Sequence, residues 1–320
     1  MNGHPDAVRL LGVDVGGTKT HLASIDHGGR RRDVVRASSD WRRGHLFSDD
    51  RNLPRLGAWI ASLSHLDRHT HVVIGLRDCD SDAEIEQAHR VLSRVLGVRV
   101  RIENDADLLG PAVGLDHAIA MIVGTGSIVS ARDAEGARVT SDGHGWLLGD
   151  WGSAPGLVRD AITRVLRASD VAGPTADVLG KDPLVAALLD HFAVSDIAGL
   201  AATATITAGP EAWGSAASRV FDAAHLGSAL ASATVEFAAE RLADGVASVI
   251  RRGGLGDEVV AAGGVIVHQT MLEESVRARL ALMPHPRDLV VVRVPPVEGA
   301  VRLAEETPPT VVLQASQANS

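Results

Sequence analysis

Tyrosine is absent from this 320-residue chain, and aromatic residues make up only 3% of it. Leu, Val, Ile and Ala must therefore fill most of the core, and the length suits two domains of ordinary size. Cysteine occurs once, at Cys79, which excludes an internal disulfide and indicates a reducing compartment. The first ten residues lack the apolar stretch of a signal peptide, and no apolar run approaches membrane-spanning length. These absences predict a cytoplasmic protein without a membrane partner.

Lysine is also scarce, because only Lys19 and Lys181 occur and arginine supplies nearly all of the positive charge. The net charge is −9, and no dense basic cluster offsets it. An acidic surface repels the phosphate backbone of nucleic acids, and the run at residues 30–32 is typical of a solvated strand edge. The sequence therefore predicts no nucleic-acid partner.

Two apolar strands each lead into a glycine-rich turn and return as a second strand. The first hairpin spans residues 8–26 around GGTKT, and the second spans 118–133 around GTGS. Further strands are expected at 31–38, 71–76, 98–102, 258–267 and 288–295. Helices are expected at 83–97, 270–282 and 297–306, with a mostly helical region from 151 to 252. Strands that alternate with helices predict an α/β fold with two domains around a cleft.

The first turn has features of a phosphate site, although its lysine comes one residue later than in the P-loop motif G-x-x-x-x-G-K-[ST]. A glycine turn exposes backbone N–H groups and lets a phosphate approach closely. Thr18 adds a hydroxyl and Lys19 a positive charge, and Asp14 can hold Mg²⁺ through water. A plain β-turn with a structural aspartate explains this stretch equally well, because short glycine motifs recur by chance.

Three further elements fit the same chemistry, and each has a structural alternative. The turn at residues 124–127 again offers glycine backbone and hydroxyls after a buried strand. Asp105 directly follows a strand, where open α/β sheets bind ligands; its carboxylate can accept a hydroxyl proton or cap a helix. Gly263 and Gly264 can let a flat base lie against the backbone, or can form a tight strand-to-helix turn.

Five motifs together resemble a known superfamily. D-x-G-G-T-K-T, N-D-A, G-T-G-S, G-D-x-G-S and A-G-G-V occur in this order between residues 14 and 265. They are similar to motifs of the actin, sugar kinase and Hsp70 superfamily, and within it to the BadF/BadG/BcrA/BcrD group that includes N-acetylglucosamine kinase. The resemblance covers residues 8–304. It explains the late lysine, which the first phosphate element of that family carries.

The resemblance implies two ribonuclease-H-like (actin-like ATPase) domains around a nucleotide cleft. The first would comprise residues 1–115 and 300–320, and the second residues 116–299. ATP and Mg²⁺ would be the cofactors, with Asp14 serving the metal. Asp105 would be the general base that takes the proton of a sugar hydroxyl, usually the 6-hydroxyl. A homodimer is a further implication.

The other site residues follow from the same resemblance and form three groups. The first phosphate site would consist of Asp14, Gly16, Gly17, Thr18 and Lys19. The second phosphate site and the adenosine site would consist of Gly124, Thr125, Gly126 and Ser127, and of Gly263 and Gly264. The small-molecule sugar would be bound by Ser39, Asp40, Trp41, Asn104, Asp105, His144, Gly145 and Asp150.

The sugar side departs from the family pattern, whereas the phosphate elements are intact. G-D-E-G-S is here G-D-W-G-S, so Trp151 replaces a carboxylate; His144 stands where Trp is common, and Asp40 replaces Asn. We therefore expect ATP-dependent phosphorylation of an amino sugar such as N-acetylglucosamine or glucosamine. A different hexose, a cyclitol, or a non-catalytic sugar and ATP sensor are the alternatives. An activator of a reductase is disfavoured, because it needs two cluster-bridging cysteines in each chain.

Overall fold

The computed structural model describes residues 7–172, 179–206 and 209–306. These residues form two compact units, one from 7–114 with 294–306 and the other from the described part of 115–293. Each unit contains one five-stranded sheet with helices, which confirms the α/β prediction. No helix in the described part of the chain is both long and apolar enough to cross a membrane.

The elements are numbered here in chain order. The strands are β1 (Val8–Val15), β2 (Lys19–Asp26), β3 (Arg31–Ala37), β4 (His71–Leu76), β5 (Val100–Asn104), β6 (Ile119–Val123), β7 (Ser127–Arg132), β8 (Arg138–Asp142), β9 (Glu258–Ala262) and β10 (Asp288–Val291). The helices are α1 (Asn52–Leu63), α2 (Asp82–Leu96), α3 (Leu109–Ala112), α4 (Ala154–Ala172), α5 (Pro183–His191), α6 (Ile197–Ile206), α7 (Pro210–Gly214), α8 (Ala217–His225), α9 (Ala229–Arg251), α10 (Gly264–His268), α11 (Thr270–Ala281) and α12 (Val297–Glu306). Short 3₁₀ helices occur at Ser38–Asp40, Leu46–Ser48 and Asp105–Leu108.

The sheet of the first unit has the order β3-β2-β1-β4-β5. The expected hairpin is formed by β1 and β2, which pair antiparallel, while β4 and β5 continue the sheet parallel to β1. Helix α2 confirms the helix expected at 83–97: Ser81 and Glu84 form a capping box at its start, and Gly97 ends it at φ +69°. Such a cap supplies partners for backbone groups that the helix leaves unsatisfied.

Helix α12 belongs entirely to the first unit, which the chain re-enters at Val294. Its apolar face is buried against β1 and β4, where Val297, Ala300 and Ala304 pack with Leu10 and Val73. Gly12 permits this close approach, because a Cβ there would lie 2.8 Å from the backbone nitrogen of Val301. Gly299 permits a close approach of α12 to the 3₁₀ helix at Asp105–Leu108, because a Cβ there would collide with the carbonyl of Leu108. Residues 307–320, which the resemblance assigns to the first domain, lie outside the described residues.

The sheet of the second unit has the order β10-β9-β6-β7-β8. The expected hairpin is formed by β6 and β7, and β8 is an additional strand that the sequence pattern did not indicate. The expectation of one strand over 258–267 is wrong, because β9 ends at Ala262 and α10 begins at Gly264. Gly263 has φ +109°, a backbone conformation that interrupts a strand and is open mainly to glycine.

Candidate active site

The carboxyl ends of three strands of the first unit meet in one row. Val15 of β1 pairs with Leu76 of β4, and Leu76 pairs with Asn104 of β5. Three segments therefore begin side by side at this edge. The first glycine turn follows β1, residues 77–80 follow β4, and the 3₁₀ helix that begins at Asp105 follows β5. Ligands bind at such edges of α/β sheets, and the predicted first phosphate turn and catalytic aspartate meet there.

The first turn is held by one backbone and one side-chain hydrogen bond. The amide of Gly16 donates to the carbonyl of Lys19 (3.0 Å), and the hydroxyl of Ser38 donates to the carbonyl of Gly16 (2.9 Å). Thr18 and Lys19 are exposed at the tip, and Gly17 is half-buried. The turn is thus held from below while its hydroxyl and ammonium groups face outward, as a phosphate site requires.

Asp14 is buried at the end of β1, with 6% of its surface exposed. Burial raises the pKa of its carboxyl from 3.8 to about 7; the neighbouring charge of Asp105 adds to this rise, and Lys19 opposes it. The two carboxylates are therefore close enough to repel each other. Burial of Asp14 and its repulsion by Asp105 make two ionised carboxylates unfavourable here. A divalent cation bound at this place would neutralise both carboxylates.

The described residues contain no group of three or more His, Cys, Asp or Glu side chains arranged for a metal ion. Mg²⁺ in kinase sites is usually held by one or two carboxylates together with substrate phosphates and water. Asp14 supplies a ligand of that kind, and Asp105 lies beside it. The donor set in this part of the molecule therefore fits Mg²⁺ as a partner of bound ATP.

Asp105 is half-buried at the first position of its 3₁₀ helix. The preceding residue, Asn104, is buried, and its side chain caps this helix by accepting from the amide of Ala106 (3.0 Å). The Asn104 amide nitrogen also donates to the carbonyl of Cys79 (3.1 Å) and to Asp80 (3.0 Å). Asn104 thus links the loops after β4 and β5 and orients the chain at Asp105. Its side-chain amide, which the resemblance assigns to sugar binding, is hydrogen-bonded to these protein groups.

The predicted sugar loop at residues 39–41 divides into a buried and an exposed part. Trp41 is 4% exposed, and its indole N–H donates to the hydroxyl of Thr20 (3.0 Å). Ser39 and Asp40 are exposed, and Asp40 pairs with Arg36 at 3.3 Å. The indole therefore anchors the loop in the core beneath the first turn, and the groups left for a sugar are those of Ser39 and Asp40.

The second glycine turn contacts the predicted adenosine element within the second unit. β6 and β9 are parallel neighbours with Ile122 opposite Ala262, so the two glycine elements follow side by side. A Cβ on Gly124 would lie 3.4 Å from the nitrogen of Gly264, and one on Gly263 would lie 2.4 Å from the carbonyl of Val123. A Cβ on Gly264 would meet nothing within 4 Å. Only glycine fits at 263, whereas Gly264 faces open space.

The hydroxyls of the second turn have different surroundings. Thr125 is exposed. Ser127 is buried and donates to the carbonyl of Trp151 at 2.8 Å. Ser127 thus joins the turn to the loop that carries the altered G-D-W-G-S motif. The amide of Gly124 donates to the carbonyl of Gly126 (2.9 Å), so the exposed hydroxyl of Thr125 is the group of this turn that a phosphate can reach.

The loop before α4 is organised by Asp142, which the sequence argument overlooked. Its carboxylate accepts from the amides of Asp150 (2.8 Å) and Trp151 (2.9 Å), and Asp150 in turn accepts from the amide of Gly145 (3.1 Å). His144 is exposed, and Asp150 is 8% exposed with φ +52°. The predicted sugar residues His144, Gly145 and Asp150 therefore belong to one hydrogen-bonded loop.

Trp151 is fixed by aromatic and cationic neighbours. Its ring meets Phe237 edge-on with centroids 5.6 Å apart, and the guanidinium carbon of Arg159 lies 4.5 Å from its centroid. Arg159 also donates to the carbonyls of Trp146 and Gly149. The tryptophan that replaces the family carboxylate thus packs against α4 and α9 and helps to hold the loop.

The first unit also contains two arginines beside the phosphate turn that the sequence argument missed. Arg77 directly follows β4, and its guanidinium lies against Gly17; Arg42 donates to the carbonyl of Gly17 at 3.3 Å. Arg77 directly follows a strand, as Asp105 does, and this position was a signal that could have identified it. Arg42 comes from the segment after the sugar loop and carries no local signal.

The sequence matches the model of the BadF/BadG/BcrA/BcrD ATPase family over residues 102–304, which is more than half of the chain. This chain belongs to that family. The N-acetyl-D-glucosamine kinase of Dictyostelium discoideum is 25% identical over 317 residues, covering 92% of this chain and 97% of that relative. The matched residues include the N-D-A, G-T-G-S, G-D-W-G-S and A-G-G-V motifs, whereas residues 14–20 lie outside the matched range.

Solved structures share the fold across nearly the whole chain. A proposed N-acetylglucosamine kinase from Chromobacterium violaceum has a TM-score of 0.62 at 24% identity, covering 94% of this chain and 100% of the other. A ROK family glucokinase from Streptomyces griseus, in complex with glucose and AMPPNP, has a TM-score of 0.56 at 17% identity, with coverages of 94% and 99%. This chain therefore shares the fold of these two solved structures.

Proposed function

We propose that this chain is an ATP-dependent sugar kinase that phosphorylates a hydroxyl of an amino sugar, such as the 6-hydroxyl of N-acetylglucosamine or glucosamine. The observation that carries the proposal is the row of strand ends in the first unit, where Asp14, the turn with Lys19 and Asp105 meet. Phosphoryl transfer needs positioning and charge neutralisation more than covalent chemistry. This row would supply a base, a cation ligand and phosphate donors together.

Asp105 would act as the general base. Its carboxylate would take the proton of the acceptor hydroxyl as the oxygen attacks the terminal phosphorus of ATP. The Asn104 cap and the register of β5 hold this carboxylate at the sheet edge. Such fixation keeps the base aligned and lowers the entropic cost of the reaction.

Asp14 would hold Mg²⁺, which neutralises phosphate charge when bound. Its raised pKa reflects the cost of its buried charge, and a cation would offset that cost. Lys19 and the amides of the first turn would bind the phosphates from the same unit. In the second unit, Gly124, Thr125 and Gly126 would bind phosphate, and Gly263 and Gly264 would face adenosine.

The sugar would be bound by Ser39, Asp40, His144, Gly145 and Asp150. The D. discoideum relative and the C. violaceum structure support N-acetylglucosamine as the reference acceptor. The tryptophan in the G-D-W-G-S motif keeps another hexose or a cyclitol as alternative acceptors. A non-catalytic sensor is the second functional class, and retained sugar binding without ATP turnover would distinguish it.

An ATPase activator of a reductase has less support. Such a protein would need cysteines at its surface to bridge an iron–sulfur cluster. Cys79 is the only cysteine of the chain, and it is fully buried. This buried thiol also supports a reducing compartment such as the cytoplasm, and a homodimer remains part of the proposal through the family resemblance.

The test is ADP release with Mg-ATP against a panel of N-acetylglucosamine, glucosamine, glucose and cyclitol acceptors. We expect turnover with one acceptor and a fall of at least about 10³-fold in Asp105→Asn, because the base and its charge are lost. Asp116→Asn, at an exposed position, is the matched control and should retain full activity. ATP binding without turnover on any acceptor would contradict the kinase and favour the sensor.

A further inference from the structure

The guanidinium of Arg77 occupies the space beside Gly17 in the first phosphate turn. A Cβ placed on Gly17 would lie 2.5 Å from Nη1 and 3.1 Å from Cζ of Arg77. The backbone explains this position, because the Arg77 amide donates to the carbonyl of Val15 (3.0 Å) and continues the pairing of β4 with β1. Glycine at 17 thus leaves room for an arginine head group against the turn.

The terminal nitrogens of Arg77 make no hydrogen bond to another protein group in the described parts of the chain. Its Nε lies 3.7 Å from Oδ1 of Asp78, and the side chain is 36% exposed. An arginine has five N–H donors in a planar fork that suits phosphate oxygens. Arg77 therefore offers unused donors at the turn that the first unit presents to phosphate.

Asp78 is shared by two guanidinium groups. Its Oδ2 lies 3.4 Å from Nη1 of Arg42 and also accepts from the amide of Leu46 (3.2 Å). Arg42 in turn donates through Nη2 to the carbonyl of Gly17 at 3.3 Å. Asp78 therefore does not pair with Arg77 alone, and the Nη donors of Arg77 stay available to the oxygens of an anionic ligand at the turn.

We propose that Arg77 binds the terminal phosphoryl group of ATP at the Gly16–Lys19 turn, and that Arg42 positions it through Asp78 and the carbonyl of Gly17. This inference deepens the proposed function and rests on it for the identity of the ligand. Arg77 would add charge-assisted hydrogen bonds to the terminal phosphate, which ADP lacks. It would also stabilise the charge of that group during transfer, the part that arginine plays in other phosphoryl-transfer enzymes.

The experiment measures the affinities of ADP and of the non-hydrolysable β,γ-imido analogue of ATP by calorimetry, with Mg²⁺ and without sugar. In Arg77→Met we expect the affinity for the ATP analogue to fall about 10- to 100-fold and that for ADP to change less than about twofold. Arg77→Lys should restore part of the loss, because it keeps the charge without the fork. Arg90→Met, which removes a 64% exposed arginine of α2, is the matched control.

The readouts separate a phosphate contact from a structural role. An equal loss for both nucleotides, together with a lower melting temperature, would show that Arg77 only packs against the turn and would overturn the proposal. Unchanged affinity for both nucleotides, or no nucleotide binding by the wild type, would overturn it too. If the selective loss is found while no sugar on the panel is phosphorylated, this inference stands and the proposed sugar kinase activity fails.

Discussion

Asp14→Asn offers a direct test of the electrostatics at the end of β1. Burial and the charge of Asp105 raise the pKa of Asp14 from 3.8 to about 7 in the folded chain. Between these two values the folded state binds a proton that the unfolded state has released. The free energy of unfolding of the wild type therefore decreases as the pH rises through this range. Asparagine, which resembles the protonated acid in shape and charge, should remove this contribution.

The magnitude follows from the shift. Each pKa unit corresponds to about 1.4 kcal/mol, so the ionised Asp14 costs at most about 4 kcal/mol above pH 7. Between pH 5 and pH 8 the stability of Asp14→Asn relative to the wild type should increase by up to about 3 kcal/mol. Most of this gain should appear below pH 7, where the proton is lost from the folded state.

The measurement is urea denaturation from pH 5 to pH 8 without divalent cations, followed by far-ultraviolet circular dichroism. The dependence of the unfolding free energy on urea concentration should be the same in each variant. Asp50→Asn, at an exposed position of the same unit, controls for the general effect of removing one negative charge and should parallel the wild type. Parallel pH profiles for Asp14→Asn and wild type would refute the reasoning, because Asp14 would then titrate alike in both states. Adding Mg²⁺ and ADP should stabilise the wild type more than the variant, since the cation favours ionised Asp14.

Three further outcomes are expected. Asp105→Asn should lower the pKa of Asp14, because it removes a neighbouring negative charge, and the pH range over which stability declines should move downward in the same urea titration. Gly263→Ala should destabilise the second unit by about 1–3 kcal/mol, because φ at this residue is +109° and the new Cβ would lie 2.4 Å from a carbonyl oxygen. Gly264→Ala is the control: its Cβ would point into open space, so the variant should have the melting temperature of the wild type. Asp142→Ala should lower the melting temperature, because the amides of two residues lose a charged acceptor at a cost of about 1.5–3 kcal/mol for each bond. It should also weaken sugar binding in calorimetry. Unchanged sugar affinity would show that this loop does not bind the acceptor.

Much of the local structure followed from residue patterns. The strand at Val8–Val15 was predicted with its observed bounds, and α2 was predicted within one residue at each end. These predictions succeeded because an apolar run, apolar helical spacing and a terminal glycine act within a few residues. The strand expected over 258–267 failed because apolar residues continue through two glycines, and Gly263 turns the chain into α10.

The sequence by itself determined the order of the phosphate motifs and the place of Asp105 directly after a strand, since both are properties of contiguous residues. Only the tertiary structure decided which of these residues are neighbours. The order β1-β4-β5 is produced by crossovers of many residues, and it brings Asp14, Arg77 and Asp105 to one edge. Folding also buries the indole of Trp41 in the core of its unit. Such outcomes depend on packing and electrostatic interactions between segments that are distant in the sequence, so a local residue pattern does not predict them.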